Sequence, residues 1–345
     1  MSSKIIVVIG ATGGQGGGVV DLFLKEPGWK VRGTTRTTSS AKAQALTKLG
    51  VEMVAADLHD ETSLERAFDG ATAIFAFTDY YDTFFEIGPE RSMNFETEQG
   101  IRVARVASKV PSLERLVLSS GPHTSLITNG EAVCPHLEGK GRAASHIIQE
   151  LPELAAKTTF FSPTIFANNP LLYDIFRPVY VPSAKKYIQM HPVPPETPYP
   201  SAGHHGTNTA VWVRSFIRNP PPAGSFVRCN VEDLTMDSYL ALWGRATGIA
   251  PEEGSTAVVQ VSPEAYVRLW GEMGEEQLHQ WEFFNWLAKT PGYSWPGVTI
   301  VEGLPLLSEE EKKLLVNTED ALGRYDWSSF KKEPTANVST TRFAQ

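Results

Sequence analysis

Ile5-Ile6-Val7-Val8-Ile9 runs straight into Gly10-Ala11-Thr12-Gly13-Gly14-Gln15-Gly16, near the start of the chain. A wholly apolar, β-branched pentapeptide suits a strand buried on both faces of a parallel sheet. The glycines then allow a turn tight enough for backbone amides, and for the N-terminus of the next helix, to approach a pyrophosphate. Glycine continues through Gly17 and Gly18, although each one costs a helix about 1 kcal/mol relative to alanine. So unfavourable a helix start predicts that something comes close to this backbone; the alternative is a glycine-rich turn without a ligand. No Gly-Lys-Ser/Thr follows, which excludes a P-loop.

Working outward, strand and helix patterns alternate as far as residue 165. Strands are expected at 4–9, 29–34, 51–55, 72–77, 114–119 and 158–162, with helices near 15–26, 40–49, 61–69, 89–108 and 136–151. This is the pattern of an α/β Rossmann fold, a doubly wound parallel sheet whose ligand crevice lies at the carboxyl ends of the strands. The expected organisation is a nucleotide-binding domain over 1–165 and a smaller C-terminal α+β lobe over 166–332, interleaved with the sheet and covering a substrate cleft. A mobile tail is expected over 333–345. The second half is proline-dense at 191–200 and 219–222, and carries Trp270, Trp281, Phe283, Phe284, Trp286, Trp295 and Trp327. Most of these rings are expected in the core of the lobe, with one or two facing a substrate. Thr235, Ser262 and Ser308 read as helix N-caps, Pro263 as a first helical residue, and Ser308 with Glu311 as a capping box.

The 345 residues carry a net charge of −8, and the pI near 5.6 argues against direct nucleic-acid binding, which relies on a basic surface. Cys134 and Cys229 form no CxxC pattern, so reduced thiols and a cytoplasmic location are expected. Met1-Ser2-Ser3-Lys4 leads directly into the first strand without a secretory h-region, and no apolar run is long enough to span a membrane. No metal site is expected: His204-His205 are adjacent, and neither HExxH nor a carboxylate cluster accompanies them. The hydrolase elbow Gly-x-Ser-x-Gly is also missing, because Ser119-Ser120-Gly121 lacks its leading glycine.

In the common dinucleotide arrangement an acid after the second strand binds the ribose 2′-hydroxyl, while a basic residue there accommodates a 2′-phosphate. Here no Asp or Glu occurs between Glu26 and Glu52. Arg36 is placed to pair with the phosphate, with Thr35, Ser39 and Ser40 as hydrogen-bond donors and Lys42 beyond them. NADP(H) is therefore expected rather than NAD(H). Asp57, followed by Leu58, is positioned either to accept from the adenine amino group or to cap a helix. Phe77, Thr78, Asp79, Tyr80 and the residues to Phe85 form an aromatic, acidic loop that should border the nicotinamide half.

These segments together resemble NmrA-like proteins, which are atypical short-chain dehydrogenase/reductases. The resemblance lies in GATGGQG at 10–16, Thr34-Thr35-Arg36, Ala56-Asp57-Leu58 and Thr78-Asp79-Tyr80. It continues in Glu96-Thr97-Glu98-Gln99-Gly100, in Ser162-Pro163-Thr164-Ile165-Phe166-Ala167-Asn168-Asn169 and in Val231-Glu232-Asp233-Leu234-Thr235. It extends over roughly residues 4–300, and the later segments make it specific. Gly10, Thr12, Gly13, Gly14, Gln15 and Gly16 are then implied in cofactor binding, together with Leu58, Phe77, Thr78, Pro163 and Phe166. The resemblance implies either an NADP(H)-dependent reductase, as in secondary-metabolite pathways, or a non-catalytic redox sensor that contacts a transcription factor or another protein.

Ordinary short-chain reductases carry a Ser after strand five and Tyr-x-x-x-Lys on the next helix. Ser120 and Lys140 match that pattern, in which the lysine binds the cofactor by orienting its nicotinamide ribose, but His136 stands where the tyrosine would be. His136 and Lys140, one helical turn apart, can share a face, and an imidazole can donate a proton near neutrality. Lys140 beside an oxidised nicotinamide would have its own proton loosened and could also act as acid or base, and Tyr80 or Tyr81 could supply a phenol. The reading is hydride transfer to a carbonyl, enone or imine of a fairly large apolar small molecule, with Lys140, His136, Ser120 and Tyr80 as catalytic residues. A redox sensor and a cofactor-assisted isomerase or dehydratase are the alternatives.

Overall fold

In the computed structural model, which describes residues 3–330, the anticipated alternation is present nearly element for element. In order come β1 (Lys4–Val8), α1 (Gly14–Phe23), β2 (Trp29–Thr35), α2 (Ala41–Lys48), β3 (Glu52–Ala55), α3 (Glu61–Phe68) and β4 (Ala73–Ala76). Next are α4 (Tyr81–Ile87), α5 (Pro89–Ser108), β5 (Arg115–Ser119), α6 (Thr124–Ile127), α7 (Pro135–Glu150), α8 (Pro152–Ala155) and β6 (Thr158–Pro163). The second half begins with β7 (Ile165–Phe166), α9 (Asn169–Leu172), β8 (Val179–Val181), β9 (Lys186–His191), β10 (Pro198–Gly203) and α10 (His205–Arg218). It continues through β11 (Phe226–Cys229), β12 (Glu232–Thr235), α11 (Met236–Thr247), β13 (Thr256–Gln260), α12 (Pro263–Lys289) and β14 (Ile300–Glu302). Two short helices, α13 (Glu309–Lys312) and α14 (Thr318–Arg324), come last.

Eight strands form one sheet in the order β14-β11-β6-β5-β4-β1-β2-β3, and every pairing in it is parallel. The order reverses between β1 and β4, the switch point beside which such sheets bind ligands. β11 and β14 return to this sheet, while β12-β10-β7 and β13-β9-β8 form two smaller ones. The two-residue period of a strand divides the core. Val7, Ile74, Leu116, Leu118 and Phe160 join one cluster. Ile6, Val8, Phe75, Val117 and Phe161 join the other, with Val19 and Phe23 of α1 and Trp212 and Phe216 of α10.

The capping residues do what the sequence suggests. Ser262 accepts from the Ala265 amide with Pro263 opening α12, and Thr235–Ser238 and Ser308–Glu311 form complete capping boxes. Three features differ from expectation. First, α1 ends at Phe23, short of Pro27-Gly28, where Gly28 turns at φ +83°. Second, the supposed loop to Phe85 is helical from Tyr81, where α4 begins its roughly two turns. Third, the glycine run is only partly explained by a ligand. A Cβ on Gly16 would lie 2.4 Å from the Gly10 carbonyl oxygen, so that residue closes the turn. A Cβ on Gly18 would lie 2.2 Å from the Gly206 carbonyl oxygen, so what approaches the helix there is α10. The residues proposed as a tail, 333–345, lie outside the described ones.

Candidate active site

Gly10 leaves β1 at φ +63°, and the Phe77 ring lies over it: a Cβ at Gly10 would meet that ring at 2.4 Å. Gly13 and Gly14 are exposed at the start of α1, with Thr12 and Gln15 partly so. The first amides of a helix have no intrahelical acceptor, so this turn presents N–H groups and the positive end of α1 to the crevice. That geometry suits a diphosphate.

At the end of β2, Arg36 is exposed and donates to Asp82 of α4 at 2.8 Å. That hydrogen bond and charge raise the guanidinium pKa, with Asp57 and Asp79 adding to the field. The Thr35 hydroxyl accepts from the Thr37 amide, and Ser40 caps α2 by accepting from Ala43; Ser39 is exposed beside them. Asp57 does not cap α3. Its carboxylate accepts from the His59 amide, and Asp60 is the cap. Leu58 packs against the core, and its carbonyl accepts from Arg102.

A cavity of about 790 Å³ opens next to this crevice. At one side it is lined by Gln15, Ser119, Ser120, His136, Lys140 and Pro163. Aromatic rings make much of the rest: Tyr81, Phe166, Tyr173, Phe176, Phe283 and Phe284. Small residues bring the helices behind it together. A Cβ on Gly139 would lie 2.8 Å from the Met93 carbonyl oxygen, and one on Gly100 2.6 Å from the Ala143 Cβ. This close approach of α5 and α7 sets the buried Glu96 against Lys140, and the two form an ion pair. The Thr78 hydroxyl donates to the same carboxylate oxygen at 2.8 Å, and the Lys140 ammonium also donates to the His136 carbonyl at 3.2 Å. Lys140 and Thr78 thus share Glu96 as their partner.

His136 is likewise engaged. Its Nδ1 lies 2.7 Å from Glu276 and its Nε2 3.0 Å from the Gln280 side chain, both on α12. Burial pushes the Glu276 carboxyl upward, but hydrogen bonding and charge from His136, and a hydrogen bond from Tyr80, outweigh it and hold the group ionised below its ordinary range. Tyr80 donates to Glu276 at 2.8 Å and is almost wholly buried, so it supports that carboxylate from behind. Tyr81, unlike Tyr80, lines the cavity, and its oxygen accepts from Gln277 at 2.8 Å; burial raises its pKa well above the ordinary value. Ser120 lines the cavity with its hydroxyl on the Gly121 carbonyl at 3.2 Å. Cys134, a buried free thiol, completes a cluster whose ligand atoms with His136 and Glu276 lie within 4.8 Å of one another. Glu276, Gln277 and Gln280 had no signal in the sequence, since nothing in their spacing marks them off from the polar side of a helix.

The sequence profile of the NmrA-like family matches residues 2–300. Among curated relatives, an NmrA-like family domain-containing oxidoreductase of Aspergillus hancockii, hkm9, is 34% identical over 142 residues, 41% of each chain. One of Aspergillus campestris, cpsB, is 35% identical over 147 residues, 42% of each. The matched stretch thus spans about two fifths of those relatives. Among solved structures, the negative transcriptional regulator NmrA in complex with NADP superposes with TM-score 0.68 at 19% identity, covering 94% of this chain and 95% of that one. Citrobacter sp. triphenylmethane reductase complexed with NADP(H) superposes with TM-score 0.63 at 15% identity, covering 92% and 99%. Among the described residues no helix is long and apolar enough to cross a membrane.

Proposed function

This chain belongs to the NmrA-like family, and from that premise we propose that it is an NADP(H)-dependent oxidoreductase acting on a carbonyl, enone or imine of a fairly large apolar molecule. The observation that carries the reading is one cavity lined by both the Lys140–His136 pair and a wall of aromatic rings. The glycine turn would hold the diphosphate, and the nicotinamide would lie toward Gln15, Ser120, Pro163 and Phe166. When bound, the reduced cofactor supplies hydride.

The protein's own part is to hold the acceptor and protonate it. Glu276 orients His136 through Nδ1, and the imidazole serves as general acid from Nε2, the substrate heteroatom taking the place of the Gln280 oxygen that Nε2 now faces. The Lys140 ammonium, fixed by Glu96 and the His136 carbonyl, places positive charge beside the developing anion. Tyr81, whose oxygen accepts from Gln277, keeps its own proton to donate into the cavity. A substrate seated against the aromatic wall would displace water from these groups, which strengthens each of the interactions. The choice of NADP(H) rests on Arg36 and on the acid-free stretch after β2; a 2′-phosphate would take the place of Asp82 on that guanidinium.

The test is NADPH oxidation against a panel of aromatic ketones, enones and cyclic imines. Lys140→Ala and Glu276→Gln should each lower turnover about 100-fold or more, with NADPH affinity changed far less. Arg36→Asp should weaken NADPH much more than NADH. Equal losses for the two would overturn the phosphate assignment. Tight NADPH binding without turnover of any panel member would favour a redox sensor.

A further inference from the structure

The adjacent histidines that offered no metal site have another place in the molecule. α10 begins at His205, and its first turn lies against the first turn of α1. The Gly18–Gly206 contact brings the backbones together, and a Cβ built on Gly14 would fall 2.4 Å from Cδ2 and 2.7 Å from Nε2 of His205. The His205 imidazole therefore stands where a side chain of residue 14 would stand, beside amides that have no intrahelical acceptor. Two helix N-termini meet there, and their combined positive ends favour an anion between them.

The ring is held in one orientation. It stacks on His204 with centroids 5.1 Å apart and planes 10° apart, and Phe166 of the cavity wall meets it edge-on at 6.2 Å. Its Nδ1 lies 2.7 Å from the Tyr325 hydroxyl. Burial lowers the pKa of His205 and raises that of Tyr325 to about 12, so near neutrality the ring is neutral and the phenol keeps a proton that it can donate to Nδ1. With that bond donated by the phenol, the ring hydrogen sits on Nε2, on the edge that faces Gly14. Tyr325 lies beyond residue 300, where the family match ends.

Resting on the dinucleotide reading above, we propose that His205, oriented by Tyr325, donates from Nε2 to the cofactor diphosphate, supplying from α10 the side chain that position 14 lacks. The whole chain and its His205→Ala, His205→Asn and Tyr325→Phe variants would be titrated with NADPH by calorimetry, and the bound cofactor followed by phosphorus NMR. His205→Ala should lose about tenfold in affinity, the scale of a hydrogen bond to a charged group, and His205→Asn, which keeps an N–H donor, should recover most of it. Tyr325→Phe should lose about two- to threefold, since it frees the tautomer without removing the ring. The diphosphate resonances should move in His205→Ala while the 2′-phosphate resonance stays. Affinity within twofold of the parent in both His205 variants, or diphosphate resonances that do not move, overturns the assignment and leaves the dinucleotide reading standing. A parent chain that binds neither NADPH nor NADH brings down both.

Discussion

Along the glycine crevice, the candidate residues follow closely on the ends of β1, β2 and β3. Around the cavity, Lys140 meets Glu96 from 44 positions away, and His136 meets Glu276 from 140 positions away. The first region is assembled by chain continuity: a parallel sheet delivers each strand end to one edge, so strand periodicity already places the residues. The second is assembled by helix packing, which depends on small residues such as Gly100 and Gly139 and on the docking of α12. The two regions also differ in the state of their polar groups. Arg36 is exposed in its contact with Asp82, a surface pair of the kind worth about 1 kcal/mol or less. Glu96 and Glu276 are almost wholly buried, where loss of one partner leaves the other charge uncompensated.

The hardest test of this contrast is Trp281→Ala. Trp281 is fully buried on α12, with its indole on the Tyr266 hydroxyl and its ring against Tyr199 and His191. A loss of about 3–5 kcal/mol in denaturant unfolding is expected. Hydrogen exchange should open α12 and the cavity wall before β1 to β6. Uniform loss of protection across both regions would end the contrast.

Next in size is Gly18→Ala, which forces a methyl group onto the Gly206 backbone and should cost about 1–3 kcal/mol. Dinucleotide affinity should fall with it if the α1–α10 contact shapes the crevice. Unchanged melting would show that the two helices separate freely.

Acid stability bears on the buried half. Burial lowers the His191 pKa to about 3, while the unfolded chain takes up the proton near 6.5. The stabilising effect is therefore complete above pH 6.5 and is lost as pH falls toward 3, by up to about 1.4 kcal/mol per pH unit. His204, lowered to about 4, and His205 act with the same sign. His191→Gln should reduce the slope of unfolding free energy between pH 6.5 and 4.5. A slope unchanged from the parent would refute the assignment.

Gly17→Ala should have the smallest effect. A Cβ there meets only the Ala11 carbonyl oxygen at an ordinary 3.6 Å, so α1 should gain up to about 1 kcal/mol. With Gly18→Ala it forms a pair of opposite sign at neighbouring positions, and two losses of equal size would contradict it.

Sequence alone determined the alternating strands and helices of the first half, the glycine turn and the caps at Thr235, Ser262 and Ser308, and it set Lys140 one helical turn after His136. Each depends on periodicity or on contacts a few residues apart, which a chain states locally. Tertiary structure decided that Glu96 holds Lys140, that Tyr81 rather than Tyr80 faces the cavity, that Asp82 meets Arg36, and that α10 accounts for Gly18. A side chain's direction and its partner depend on how far two helices approach, and that distance is set by volumes contributed from both, which no single segment specifies.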